Sequence, residues 1–184
     1  MKIIKNVQLV LIAILAVACS NDDNGVSEEI QQPPVETQLK VRGKGVVSGE
    51  TFNVIDPVTG LNLVSVCFTM DLFDIETNNV IGKLQDCDLE TIELSDGSLL
   101  SNVLTTFSIE GKGSITATNL VLQKPLGDGV FSTEFDPAED NIVSATGDFE
   151  NAEGSVSLRG QVDLTRFDEG IIGFNCVFTI NLKQ

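Results

Sequence analysis

The chain has 184 residues and a formal net charge of −16, from 11 Lys and Arg against 27 Asp and Glu, and it holds no His, Trp or Tyr. Without His, a Ser-His-Asp or Cys-His catalytic device and an imidazole-bound zinc are excluded. The shortage of cations excludes nucleic acid, or an anionic membrane surface met through charge, as a partner. In chain order, the first segment is an address rather than a fold. Lys2 and Lys5 precede an apolar run from Val7 to Val17, and Ala16-Val17-Ala18 places small residues before Cys19. That is the layout of a secretory signal peptide, too short to anchor a mature protein across a bilayer.

With its Cys directly after the small residues, the segment 1–18 resembles a bacterial lipoprotein signal with its lipobox, although Leu15 stands one place upstream of the usual Leu. The resemblance implies that Cys19 becomes the lipid-modified N-terminus. Loss of Lys2 and Lys5 with the leader would take the charge from −16 to −18. The next residues, Ser20-Asn21-Asp22-Asp23-Asn24, resemble the acidic export signal of surface lipoproteins in the Bacteroidetes. Together these imply a protein held by lipid in the outer membrane, on the cell surface. Acyl chains anchor through about 0.8 kcal/mol per buried CH₂. Residues 19–36, with Glu28-Glu29 and Pro33-Pro34, have too little apolar content to fold and read as a disordered acidic stalk.

From Thr37 to Gln184 the pattern alternates with period two and shows no long helical periodicity. Leu39, Val41, Gly43, Gly45 and Val47 share one face of a first strand, and Val64, Val66, Phe68, Met70 and Leu72 one face of the next. Val103, Thr105, Phe107 and Ile109 repeat the pattern, as do Val156, Leu158, Gly160, Val162 and Leu164. The final strand sets Ile172, Phe174, Cys176, Phe178, Ile180 and Leu182 on one side. Turn pairs such as Asp56-Pro57, Asp96-Gly97, Asp128-Gly129 and Asp136-Pro137 separate these runs. The expected fold is all-β, a single antiparallel β-barrel, with a sandwich as the alternative.

One hairpin can be registered directly. A loop of Glu76, Thr77 and Asn78, with Asn78 at positive φ, pairs Ile75 with Asn79. The same register sets Phe73 beside Ile81, Asp71 beside Lys83, Thr69 beside Gln85 and Cys67 beside Cys87, mostly toward solvent. In an oxidising compartment Cys67 and Cys87 are then expected to form a disulfide, with two half-exposed thiols as the alternative. Cys176, on the apolar face of the last strand, reads as a buried unreactive thiol.

Near the C-terminus, Ser144-Ala145-Thr146-Gly147-Asp148-Phe149-Glu150-Asn151-Ala152-Glu153-Gly154-Ser155-Val156 resembles the segment before the penultimate strand of the allene oxide cyclase and dirigent barrels. Thr146, Gly147, Phe149, Ala152, Gly154 and Val156 match, while Ser144, Ala145 and Asn151 stand where that family has Gly. Gly113-Ser114-Ile115-Thr116-Ala117 is similar to the strand before it. The resemblance covers about residues 111–182 and implies a lumen that holds a small apolar molecule. In the plant enzymes such a lumen steers cyclisation or radical coupling. It also implies a homo-oligomer. The plant active-site residues align with nothing here, so no catalytic residue is carried over.

Polar residues at inward positions are the intrinsic site candidates. Thr105 falls among Val103, Phe107 and Ile109, and Asn119 meets it across the next hairpin if the Gly111-Lys112-Gly113 turn keeps an even register. Asp86 and Asp88 continue the Val80-Gly82-Leu84 face, and Arg166 continues the Val162-Leu164 face. These five would give a ligand-binding lumen an Asp/Arg polar end, or lie solvated at the barrel mouths. Asp136, Glu139, Asp140 and Asn141 are oxygen-rich but lack EF-hand spacing, and read as a solvated loop rather than a metal site. No cofactor is called for. The expected partners are the membrane, through the lipid, and a small apolar ligand. The reading is therefore a surface lipoprotein whose barrel binds such a ligand. The alternatives are a cyclase-like or dirigent-like enzyme, or a structural or adhesive protein with a packed barrel.

Overall fold

The computed structural model describes residues 36–183; the leader, Cys19 and most of the acidic stalk lie outside them. Nine strands form one antiparallel sheet: β1 (Glu36–Ile55), β2 (Asn62–Asp74), β3 (Val80–Glu93), β4 (Leu99–Ile109), β5 (Gly113–Gly127), β6 (Val130–Phe135), β7 (Ile142–Ala145), β8 (Glu153–Asp163) and β9 (Ile171–Lys183). The ladders β1–β9 and β4–β5 join its ends, so the sheet closes as a barrel. Among the described residues, closure pairs β1 on both sides as far as Gly49 and so removes most of the open edge that is the usual hazard of an all-β chain.

The ring has eight strand positions, because β6 and β7 share one. β6 lies between the far halves of β5 and β8, and β7 pairs with residues 115–117 of β5 near the other end. Between them Asn141 bridges the gap. Its backbone accepts from Thr118 N–H and donates to Gly154 C=O, at 3.1 and 3.0 Å. Its side-chain amide accepts from Val156 N–H at 2.7 Å and donates to Val156 C=O and Thr118 C=O at 3.1 and 2.9 Å. The amide thus stands in for the missing strand's peptide and satisfies backbone groups that would otherwise be left without partners.

The alternation places the apolar rows inside. Val41, Phe68, Met70, Leu72, Phe107, Val156, Phe174, Phe178, Ile180 and Leu182 are all buried. Val64 and Val66 depart from the expectation, being 74% and 43% exposed. Beyond Gly49, β1 pairs only with β2, so residues 50–65 form a ribbon that overshoots the ring, and Val66, opposite Asp88 at its root, is only partly covered.

The β2–β3 hairpin pairs Asp71 with Lys83, Thr69 with Gln85 and Cys67 with Cys87, and Asn78 has φ 55°. Phe73 faces Val80 rather than Ile81, because a bulge between Leu72 and Phe73 absorbs one residue. Cys67 and Cys87 are disulfide-bonded across 20 residues. They are 1% and 3% exposed rather than turned to solvent, since the bonded sulfurs between adjacent strands occlude each other. A link of this span contributes roughly 3 kcal/mol in the chain-entropy picture.

The glycine-rich corner before β8 is a 3-10 turn (Gly147–Phe149) in which Phe149 is buried. Gly154 has φ 138°, and a Cβ there would sit 2.0 Å from the Asn181 carbonyl oxygen. Close approach of β8 to β9 at this point requires a residue without a side chain.

Candidate functional site

The barrel is filled at one end and open at the other. Phe107 and Phe178, both fully buried, meet edge to face at 5.0 Å between ring centres and plug the middle. Phe174 stacks on Phe178 at 6.3 Å. Above this floor lies a cavity of about 560 Å³, walled by Phe68, Val103, Phe131, Leu158, Val162 and Phe174. It opens at the end where β3 leads into β4 and β8 into β9. Its volume falls in the range of small-molecule pockets. β1 adds no residue to this cavity: its inward Gly43 and Gly49 are packed over by Leu84, Phe174 and Met70 and by Val66 and Phe68. A smaller depression of about 430 Å³ at the opposite end is lined by Leu39, Val41, Ile109 and Phe149 among others.

The polar inward residues converge at the cavity's base. Thr105 and Asn119 are fully buried. Thr105 pairs with Asp86 across the β3–β4 ladder and donates its hydroxyl to Asp86 Oδ1 at 2.6 Å. Asn119 Nδ2 donates to Thr105 Oγ1 at 2.8 Å, and Asn141 Nδ2 donates to Asn119 Oδ1 at 3.0 Å. Because Val156 N–H fixes Asn141 Oδ1 as an acceptor, every amide orientation in the chain follows. Four hydrogen bonds therefore run in one sense, from the Val156 backbone through Asn141, Asn119 and Thr105 to Asp86. Such aligned donors strengthen one another in a low-dielectric interior.

Asp86 faces the cavity. Burial pushes its carboxyl up to about 6, the Thr105 hydroxyl works against this, and the neighbouring Asp88 charge adds to it. Asp88 also lines the cavity, accepts from Thr91 Oγ1 at 2.8 and 2.9 Å, and is raised by burial. Cys176 is a free, buried thiol, pushed far up by burial and by the Asp86 charge, so no reactive thiolate forms there.

Asp86, Asp88, Thr105 and Asn119 thus belong to one wall and base. Arg166 does not join them. It lies past the end of β8, where the chain turns through a 3-10 turn (Phe167–Glu169), and it pairs with Glu169 at 2.7 Å in solvent. The expected Asp/Arg polar end is therefore acidic only. In the oxygen-rich loop, Asp136 pairs with Arg159, Asp140 pairs with Lys183 at 2.9 Å, and Asn141 belongs to the ladder. Among the described residues no group of three or more His, Cys, Asp or Glu could hold a metal ion.

Sequence reasoning missed Thr91 and Glu93, which line the mouth. A bulge between Asp88 and Glu90 shifts the register there, so strict alternation points to Glu90 and Ile92 instead. Phe131 and Thr133 were readable from the alternation within Val130–Phe135.

The raised Asp86 carboxyl has a measurable sign. Folding increases its proton affinity, so its ionisation works against the folded state. That penalty is full above about pH 6, shrinks as pH falls, and is absent below the ordinary 3.8. The gap corresponds to about 2–3 kcal/mol. Asp86→Asn, whose amide oxygen can still accept from Thr105, is therefore expected to be more stable than the parent at pH 8 and equal to it near pH 4. Urea unfolding followed by far-ultraviolet circular dichroism reads both, and a variant less stable at pH 8 would contradict the assignment. Neither a scan against models of known protein families nor a search of curated proteins returns a match for this chain.

Proposed function

We propose that the protein is a lipid-anchored outer-membrane protein, displayed on the cell surface, whose barrel binds a small, largely apolar molecule. The observation that carries the binding is the cavity of about 560 Å³, with apolar walls and one directed polar chain ending at Asp86. The anchoring rests on the leader and Cys19, and the surface location on the acidic residues that follow. Kinship with the allene oxide cyclase and dirigent barrels is part of the same reading. It is supported by the glycine-rich corner, where Gly147 and Gly154 take up conformations and approaches that suit glycine.

Native mass spectrometry of the full chain, after incubation with a lipid extract of its own cells, tests the reading. A stoichiometric adduct is expected, and Val162→Phe, which pushes a ring into the cavity, is expected to abolish it while the protein still melts cooperatively. An adduct that survives Val162→Phe would place the ligand elsewhere. A bare mass under every condition would favour the structural or adhesive alternative. A mass increment on the N-terminal peptide beginning at Cys19 checks the lipid.

A second reading, a cyclase-like or dirigent-like enzyme, has one observation in its favour. Burial raises the Asp86 carboxyl to about 6 inside an apolar cavity, where its carboxylate could take up a proton. Chemical change of the bound molecule on incubation, lost in Asp86→Asn, would select that reading.

A further inference from the structure

The cavity's charge is one-sided. Asp86, Asp88 and Glu93 line it, and no Lys or Arg does. Arg166, the nearest cation in the sequence pattern, is turned onto Glu169 outside. Asp86 Oδ1 takes the Thr105 hydroxyl, and among the described residues nothing pairs with Oδ2. Asp88 accepts from the Thr91 hydroxyl on both oxygens and from the Glu90 backbone amide, and no cation pairs with it among the described residues. Four phenylalanines, Phe68, Phe131, Phe167 and Phe174, share the same space with these carboxylates.

Each feature selects the same chemistry. A carboxylate in a low-dielectric recess gains most from an opposite charge that also donates a hydrogen bond. Aromatic faces attract cations and exclude anions by the same quadrupole. Low-dielectric walls of one sign concentrate the field at the mouth and draw in ligands of the other sign. A fatty acid would bring a third carboxylate beside Asp86 and Asp88, at a cost of several kcal/mol.

Resting on the reading of this cavity as a ligand site, we propose that its ligand is an amphiphilic amine, with its apolar body against the phenylalanine walls and its protonated nitrogen donating to Asp86 Oδ2. Glu93 at the rim and Asp88 below it steer the cation inward. Thr105, held by Asn119 and Asn141, fixes the Asp86 carboxylate in its orientation.

Three probes with one rigid apolar body and different head groups test this: adamantylamine, adamantanol and adamantanecarboxylate, titrated calorimetrically into the full chain at pH 7.5. The amine is expected to bind about tenfold or more tightly than the alcohol, with the carboxylate weakest. Asp86→Asn is expected to bring the amine within about twofold of the alcohol. Glu93→Gln, on the exposed rim, is expected to weaken the amine about two- to threefold without touching the fold. If the alcohol or the carboxylate matches the amine on the parent protein, the amine assignment falls while the binding cavity stands. If none of the three binds, both fall.

Discussion

Asn141→Leu is expected to lower the stability of the fold by about 4 kcal/mol. The substitution keeps the side chain's size and removes its hydrogen bonding. It leaves the Val156 N–H, the Thr118 and Val156 carbonyls and the Asn119 amide oxygen without their partner. Val156 and Asn119 are fully buried, so water cannot replace what is lost. A buried polar group left unpaired costs about 1–3 kcal/mol, and at least two such groups result. Asp140→Asn, one residue away, makes the contrast. Its pair with Lys183 is solvent-exposed, and its loss is expected to change stability by less than about 1 kcal/mol. Urea midpoints for the two variants, read by far-ultraviolet circular dichroism because the chain lacks Trp and Tyr, separate the cases. A leucine variant that unfolds with the parent would mean that the gap between β5 and β8 does not depend on this amide.

Phe178→Ala is expected to cost a similar amount, about 3–5 kcal/mol. Phe178 is fully buried, meets Phe107 edge-on, and carries Phe174 on its face. The surrounding ladders hold the barrel wall in place, so the walls cannot collapse to fill the void. The cost should therefore fall toward the upper part of that range. The rim residue Phe167, 51% exposed, supplies the control, and its replacement by Ala is expected to change stability by no more than about 1 kcal/mol. Equal losses at the two positions would show that the phenylalanine plug is not what supports the barrel.

The strands were legible because a half-buried strand writes its geometry into every second residue. The assumed Asn78 turn placed Cys67 beside Cys87 because two offsets cancel: Asp74, not Ile75, meets Asn79, and the bulge between Leu72 and Phe73 restores the expected register from Leu72 back to Cys67. Phe73 was misplaced because a bulge is a single extra residue with no compositional mark. The same cause turned Thr91 and Glu93 inward. Thr105, Asn119 and Asp86 were visible as polar residues in apolar rows, which is how a buried hydrogen-bonded group presents itself. Their link to Asn141 was not, because that residue meets them only where two strands share one place in the wall. Arg166 misled because alternation was extended past the end of β8. The cavity was unreadable in principle. It depends on how much of the lumen Phe107, Phe178 and their neighbours fill, and alternation gives direction but not volume.

The barrel is closed by its first and last strands. Thirteen register pairs join β1 to β9, linking residues 123 to 147 positions apart. Nothing on β1's free side can be satisfied until Ile171–Lys183 has been made and delivered. Contacts this distant in sequence are slow to form, because the loop between them must be ordered first. Until then two adhesive edges, β1 and β8, stay open to any other extended chain. A newly made chain is therefore an unsealed sheet, and its most vulnerable moment is the interval before the last strand arrives. Proteases and chaperones have this interval in which to act, and once the seam is shut it is over.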